Sequence, residues 1–268
     1  MYKAKSDIQQ TYLKYLAIYD KKKYIYIYIY HLSKFVNLID SIDSIECSLY
    51  TIFLSHTMSI LLSRVIRALE KIAPLSLAES SWDNVGLLVE PPYPRPNSSR
   101  VFLTIDLTSS VLEEALADPK VGVIVAYHPP IFRSFKRLNL SDIKQAIVLT
   151  CAAKGIGVFS PHTALDSCVG GVNDWLSKAL GDGTSKPITL AENPPTGHET
   201  AGSGRLFTLA QPAPLSTIIE RIKLYLKLQH VRVATAERHG SLSNELISTV
   251  GICAGSGKIT DFFFGISF

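Results

Sequence analysis

Val121-Gly122-Val123-Ile124-Val125-Ala126-Tyr127-His128-Pro129-Pro130 is the stretch that decides the fold. Six small or apolar residues run without a polar break, and then a phenol, an imidazole and two prolines follow at once. A run of this kind, with no alternation, suits a strand buried on both faces of a parallel sheet. Upstream, 101–105 is a second short apolar run, and it ends at Asp106. Downstream, 157–160 is a third, followed by Pro161-His162-Thr163 and then Asp166. Between the runs, 111–117 and 142–153 read as helices. Strands alternating with helices at this spacing predict βαβ units and a mainly parallel sheet, an α/β first half. Ahead of them Ile60, Leu61, Val65, Ile66, Leu69 and Ile72 recur at helical spacing, and Pro74 ends that helix.

In such sheets ligands bind beyond the carboxyl ends of the strands. Asp106, His128, His162 and Asp166 all fall at such ends. Neighbouring strands lie about 5 Å apart, so these side chains are within reach of one metal ion. Imidazole with carboxylate suits zinc, iron, manganese or nickel rather than a structural thiolate site. Each residue also has a plainer reading. A histidine at a strand end is commonly a turn residue bonded to backbone. Asp106 could cap the helix that follows it, and Asp166 could cap the helix containing Trp175. Pro129-Pro130 could only stiffen the exit from the strand.

The composition is that of a globular chain, with 47% hydrophobic and 19% charged residues and a formal charge of +4. The excess of positive charge is split evenly between 1–57 and the rest and forms no basic cluster, which argues against direct nucleic-acid binding. Cys47, Cys151, Cys168 and Cys253 form no CxxC pair, so they read as reduced thiols. No apolar run approaches the roughly twenty residues of a membrane span. A cytoplasmic location follows from the lack of targeting signals, with nucleus and mitochondrion as alternatives.

The first 57 residues read differently. Tyr and Ile alternate from Tyr24 to Tyr30 after Lys21-Lys22-Lys23. As protein this is a period-two strand with two apolar faces, prone to register slip. A TA dinucleotide repeat read in triplets would encode the same alternation, so translated AT-rich untranslated sequence is the preferred reading, with Met58 as the expected start. A targeting extension fits less well, because the stretch has five acids and no Arg.

Five segments then carry a resemblance. They are Glu79-Ser80-Ser81-Trp82-Asp83-Asn84-Val85-Gly86-Leu87, Tyr127-His128-Pro129-Pro130-Ile131-Phe132 and Ser160-Pro161-His162-Thr163-Ala164-Leu165-Asp166, followed by Gly171-Val172-Asn173-Asp174-Trp175-Leu176 and Ala254-Gly255-Ser256-Gly257. Together and in this order they resemble the Nif-three-like family, also called type 2 GTP cyclohydrolase I homologues, and its eukaryotic branch most. The resemblance implies a two-part α/β protein that forms a ring-shaped homohexamer and holds a pair of divalent metal ions. It implies His128 and Asp166 as metal ligands, with His162 shaping or joining the site. Many bacterial members have a second His where this chain has Tyr127, and a phenol is a poor ligand at neutral pH, which counts against two-metal occupancy. It divides the chain into an unrelated extension (1–57), a first α/β half (58–193), a linker (194–204), a partial α+β second half (205–257) and an unrelated tail (258–268). The tail matches nothing expected of the family, so the second half is read as truncated, without its own His and Glu ligands.

Three functions are consistent with these readings. One is a metal-dependent hydrolase of unknown substrate, with His162 as general acid or base if it is not a ligand. Residues 254–258 lack the spacing and the Ser/Thr of a phosphate-binding Walker loop. The second is a non-catalytic scaffold for transcription-regulatory proteins, and the third a fragment that neither catalyses nor assembles. A complete ligand set separates the first from the others.

Overall fold

Residues 24–27, 58–233 and 246–255 are described in the computed structural model, 24–27 by backbone alone. The chain divides into two compact units, Leu32–Leu165 and Met1–His31 with Asp166–Phe268. Tyr24–Ile27 is strand β1, within the Tyr/Ile alternation.

The unit Leu32–Leu165 follows the βαβ grammar. Helix α1 (Ile60–Ile72) starts where the Ser59 hydroxyl accepts the Leu62 N–H at 3.0 Å. Strand β2 (Gly86–Val89) comes next, then β3 (Arg100–Thr104), helix α2 (Ser109–Ala117), β4 (Val121–Ala126), helix α3 (Ile143–Ala153) and β5 (Gly157–Ser160). The sheet order is β2-β5-β4-β3; β3, β4 and β5 run parallel, and β2 is an antiparallel edge. The predicted βαβ units and parallel sheet are therefore present.

Alternate residues of β4 serve opposite faces. Val123 and Val125 pack with Leu62, Val65 and Leu69 of α1, while Ile124 and Ala126 pack with Leu112, Ala115, Ile147 and Cys151 of α2 and α3. That two-sided burial is why the strand reads as an unbroken apolar run. The helix caps fall just before the apolar patterns: Thr108 accepts from the Val111 N–H and Asp142 from the Gln145 N–H. Gly155, at φ +73°, turns the chain from α3 into β5 where a Cβ would lie 2.4 Å from the Arg95 nitrogen.

The second unit contains helix α5 (Val172–Ser177), strands β6 (Gly183–Lys186), β7 (Thr189–Leu190), β8 (Gly202–Ser203) and β9 (Arg205–Pro214), helix α6 (Leu215–Leu226) and β10 (Leu246–Ile252). Helix α4 (His162–Ser167) leads into it. Its main sheet has the order β1-β10-β9-β6, antiparallel except for the β1–β10 pair. Leu176, Phe207, Leu209, Ile218, Ile222 and Val250 form its core. The stretch 194–204, read as a linker, contains β8 and the buried residues His198 and Ala201.

Arg205 organises this unit. Its side chain is only 2% exposed and its guanidinium pairs with Asp174 of α5. It also donates to the carbonyls of Gly202 and Gly204 at 2.8 and 2.7 Å, and of Cys168 and Ser167 at 3.1 and 3.4 Å. A buried guanidinium is tolerable only when its donors are matched in this way.

Candidate functional site

The strand ends carry the chemistry. Tyr127 and His128 leave β4 with their N–H groups bonded to the carbonyls of Thr104 and Ile105, which fixes them beside Asp106 at the end of β3. His128 Nδ1 and Asp106 Oδ1 are 2.9 Å apart. The plainer reading of Asp106 as a helix cap gives way here, because Thr108 caps α2 and the Asp106 carboxylate faces an imidazole. The hydrogen bond to His128 holds the Asp106 carboxyl below its ordinary range against the opposing effect of burial, with Lys144 helping.

His162 opens α4 just past β5. Its φ of +29° lies in the left-handed region, a conformation that costs a non-glycine residue about 1–3 kcal/mol and persists only when surroundings enforce it. The surroundings here are Asp83. His162 Nδ1 and Asp83 Oδ1 are 2.7 Å apart, while Asp83 Oδ2 accepts from the Thr163 hydroxyl at 2.5 Å and the Thr163 N–H at 3.3 Å. The Asn84 N–H adds a bond to Asp83 Oδ1 at 2.8 Å. The Asp83 side chain is fully buried. Burial alone would raise its pKa, but the bonds from His162, Thr163 and Asn84 together hold it below the ordinary value of 3.8.

The two imidazoles thus share one arrangement: an ionised carboxylate can only accept, so each Nδ1 donates to its carboxylate. The ring centroids of His128 and His162 are 5.5 Å apart. Buried Tyr127 packs against both, at 5.0 and 5.6 Å. Trp82 and Phe132 form a half-exposed aromatic corner, 6.1 Å from each other and 6.1 and 6.2 Å from His162. The Asn84 side-chain amide donates to the Ile131 carbonyl at 2.5 Å, joining the loops that carry the two aromatics.

Asp166 lies inside α4 and does not cap the helix of Trp175, whose N-terminal cap is Gly171. Its carbonyl accepts from the Asn173 side chain at 2.9 Å. Among the described residues no group of three or more His, Cys, Asp or Glu is arranged to hold a metal ion. Two imidazoles on one ion, with nitrogens about 2.1 Å from it, would have centroids roughly 5–6 Å apart, so this pair fits the nitrogen half of such a site. Burial pushes the thiols of Cys151, Cys168 and Cys253 up to about 12, which keeps them chemically quiet. Cys47 lies outside the described residues. No described helix is long and apolar enough to cross a membrane.

Asp83 and Thr163 are the site residues that the strand-end pattern misses. Asp83 lies ahead of an edge strand, 79 residues from its histidine. Its only signal was a place inside a segment that resembles the family.

Comparison with known proteins gives the same assignment from outside the structure. The family model described as Duf34/NIF3 (NGG1p interacting factor 3) matches residues 60–264. The fission-yeast (Schizosaccharomyces pombe) NIF3 homolog is 44% identical over 197 residues, covering 73% of this chain and 69% of that protein. NIF3-like protein 1 of Drosophila melanogaster is 42% identical, covering 73% of this chain and 63% of that protein. NGG1-interacting factor 3 of Saccharomyces cerevisiae is 35% identical, covering 74% and 71%. Among solved structures, a Staphylococcus aureus hypothetical protein aligns with a TM-score of 0.58 at 23% identity, covering 74% of this chain and 73% of that one. That identity supports the fold alone.

Proposed function

The chain belongs to the Duf34/NIF3 family, and from that premise we propose that it is a divalent-metal-binding hydrolase whose metal centre is built on His128 and His162. One observation carries this reading. Two imidazoles stand 5.5 Å apart at neighbouring strand ends, each with its Nδ1 held by a carboxylate. That is the outer-sphere arrangement that orients metal-binding histidines and raises their basicity. Asp166 enters the proposal as a ligand only through the family resemblance.

A divalent ion held there supplies Lewis acidity and makes water acidic enough to lose a proton near neutral pH. Asp106 and Asp83 keep both rings in the tautomer that offers Nε2. Tyr127 closes the floor of the site without offering a strong ligand. Trp82 and Phe132 give the rim apolar surface against which a substrate can be held. A homo-oligomeric ring belongs to the same proposal through the family resemblance, while Tyr127 in place of a second His favours a single ion in this half.

Elemental mass spectrometry on the full chain tests it, beside His128→Ala and His162→Ala. Stoichiometric metal in the parent, lost in His128→Ala, is the expected result. Metal kept in His162→Ala but lost in His128→Ala would assign His162 to general acid or base work instead. A folded parent without metal overturns the reading. A second reading, a scaffold for transcription-regulatory proteins, is favoured by the name of the Saccharomyces cerevisiae relative. Partner capture that survives His128→Ala would support it.

A further inference from the structure

We propose that Asp83 is a positioning residue: it selects the Nδ1–H tautomer of His162 and holds the ring so that Nε2 faces the site. The consequence for metal binding rests on the reading above, whereas the tautomer itself does not.

Four features of the geometry carry it. First, the Asp83 side chain has no exposed surface, while the His162 side chain keeps 16%. The carboxylate therefore has no water to turn to, and its orientation is set by the protein. Second, three other donors occupy it: the Thr163 hydroxyl, the Thr163 N–H and the Asn84 N–H. With its oxygens engaged on those sides, the remaining direction on Oδ1 is taken by Nδ1 at 2.7 Å. Third, His162 sits at φ +29°, a strained backbone that needs a reason to persist. The Asp83 bonds to both His162 and the next residue, Thr163, supply it, because they grip the chain on either side of the strained link. Fourth, Thr163 is itself placed from the other side, its hydroxyl oxygen accepting the Glu79 N–H at 3.0 Å. Segment 79–84 and the start of α4 are thereby stitched together at several points, and the imidazole is held against that seam with part of its surface open.

The companion pair behaves differently. Asp106 has 47% of its side chain exposed and His128 24%. Water competes for that carboxylate, so Asp106 constrains its histidine less. Free neutral histidine favours the opposite tautomer, Nε2–H, so a histidine held with Nδ1–H has had its choice made by the protein.

The test uses the full chain without metal, as wild type, Asp83→Ala, Asp83→Asn and Asp106→Asn, at pH 8. Nitrogen-15 NMR of the imidazoles reads the tautomer directly, and zinc affinity is measured by competition with a chromophoric chelator. Wild type should show His162 with a protonated Nδ1 and a bare Nε2. In Asp83→Ala the ring should shift toward Nε2–H and zinc affinity should fall by roughly 10–100-fold. Asp83→Asn keeps an acceptor oxygen and the shape, so it should lie between the two; it also serves if the alanine variant fails to fold. Asp106→Asn should leave the His162 tautomer unchanged. An unaltered His162 tautomer in Asp83→Ala, or in Asp83→Asn where the alanine variant does not fold, overturns the proposal whatever happens to thermal stability. A tautomer that changes as expected in a protein that binds no zinc upholds Asp83 and overturns the metal reading instead.

Discussion

Asp174→Ala measures how much of the second unit hangs on one buried ion pair. The Arg205 side chain is 2% exposed and that of Asp174 23%. Removing one partner of a buried pair costs about 3–5 kcal/mol, because the other charge is left in a poor solvent. Two features set the value within that range. The half-open side of Asp174 admits water to the vacated space, and the carbonyls of Gly202, Gly204, Ser167 and Cys168 still receive the guanidinium. Against this, the Gly170 N–H loses its acceptor at 2.7 Å. The lower end, about 3 kcal/mol, is expected. Arg205→Met should cost a similar amount, since it strands the Asp174 carboxylate and four carbonyls at once. The double variant should fall well short of the sum, with a coupling of roughly 2 kcal/mol, as two groups in direct contact require. Urea unfolding followed by Trp175 emission in a Trp82→Phe background reads this unit alone, because Trp175 packs on Tyr225 within it at 5.6 Å. A loss below about 1 kcal/mol for Asp174→Ala, the value of an exposed pair, would refute the reasoning.

Gly155→Ala must force a Cβ to 2.4 Å from the Arg95 nitrogen and 2.6 Å from the Tyr93 oxygen at φ +73°. The expected cost is about 2 kcal/mol, which calorimetry should register as a midpoint lowered by roughly 4–8 °C. Buried Cys151 and Cys168 and part-buried Cys253, all raised to about 12, should resist Ellman's reagent at pH 8 in a Cys47→Ser chain and react fully only after unfolding. Because the folded pKa of Asp83 lies below its ordinary 3.8, its contribution is present above that value and fades as pH falls through the folded one. Denaturation between pH 5 and about 2 should therefore show a steeper loss of stability in wild type than in Asp83→Asn.

Much of the first unit was legible because its forces are local or periodic. An apolar run with two buried faces can only be a central strand, and β3, β4 and β5 all end within two residues of the polar groups they present. Helix starts were legible to within two residues, since Thr108 and Asp142 act as ordinary caps. Strand β2 was not read. It has four residues, lies at an edge and pairs through a bulge, so it offers neither length nor alternation. The histidines and Asp106 were visible by position, but Asp83 was not: its pairing with His162 is a contact across the fold, and no periodicity encodes it.

The five segments behind the family resemblance do not all serve chemistry. Within the first unit, the Trp82-Asp83-Asn84 segment reaches the other two: Asp83 grips His162 and Thr163, and Asn84 holds the Ile131 carbonyl. Within the second, Asn173 receives the Ala254 N–H at 2.7 Å, which joins the fourth segment to the fifth, while its neighbour Asp174 pairs with Arg205. So the segments form two interlocked sets, one in each unit, and in each set an Asp-Asn or Asn-Asp dipeptide provides the clasp. Neighbouring side chains of this type can bond two separate strands of chain at once, because each offers a short, rigid acceptor and the amide adds donors. Polar residues spent this way must be matched on every side or they cost more than they stabilise, so the partners of a clasp are constrained as tightly as the clasp. That explains why stretches with no ligand or catalytic group stand out in the sequence as sharply as the histidines do. It also sets where each loss is felt: loss of Asp83 or Asn84 should disturb the imidazole pair, whereas loss of Asn173 or Asp174 should lower the stability of the second unit.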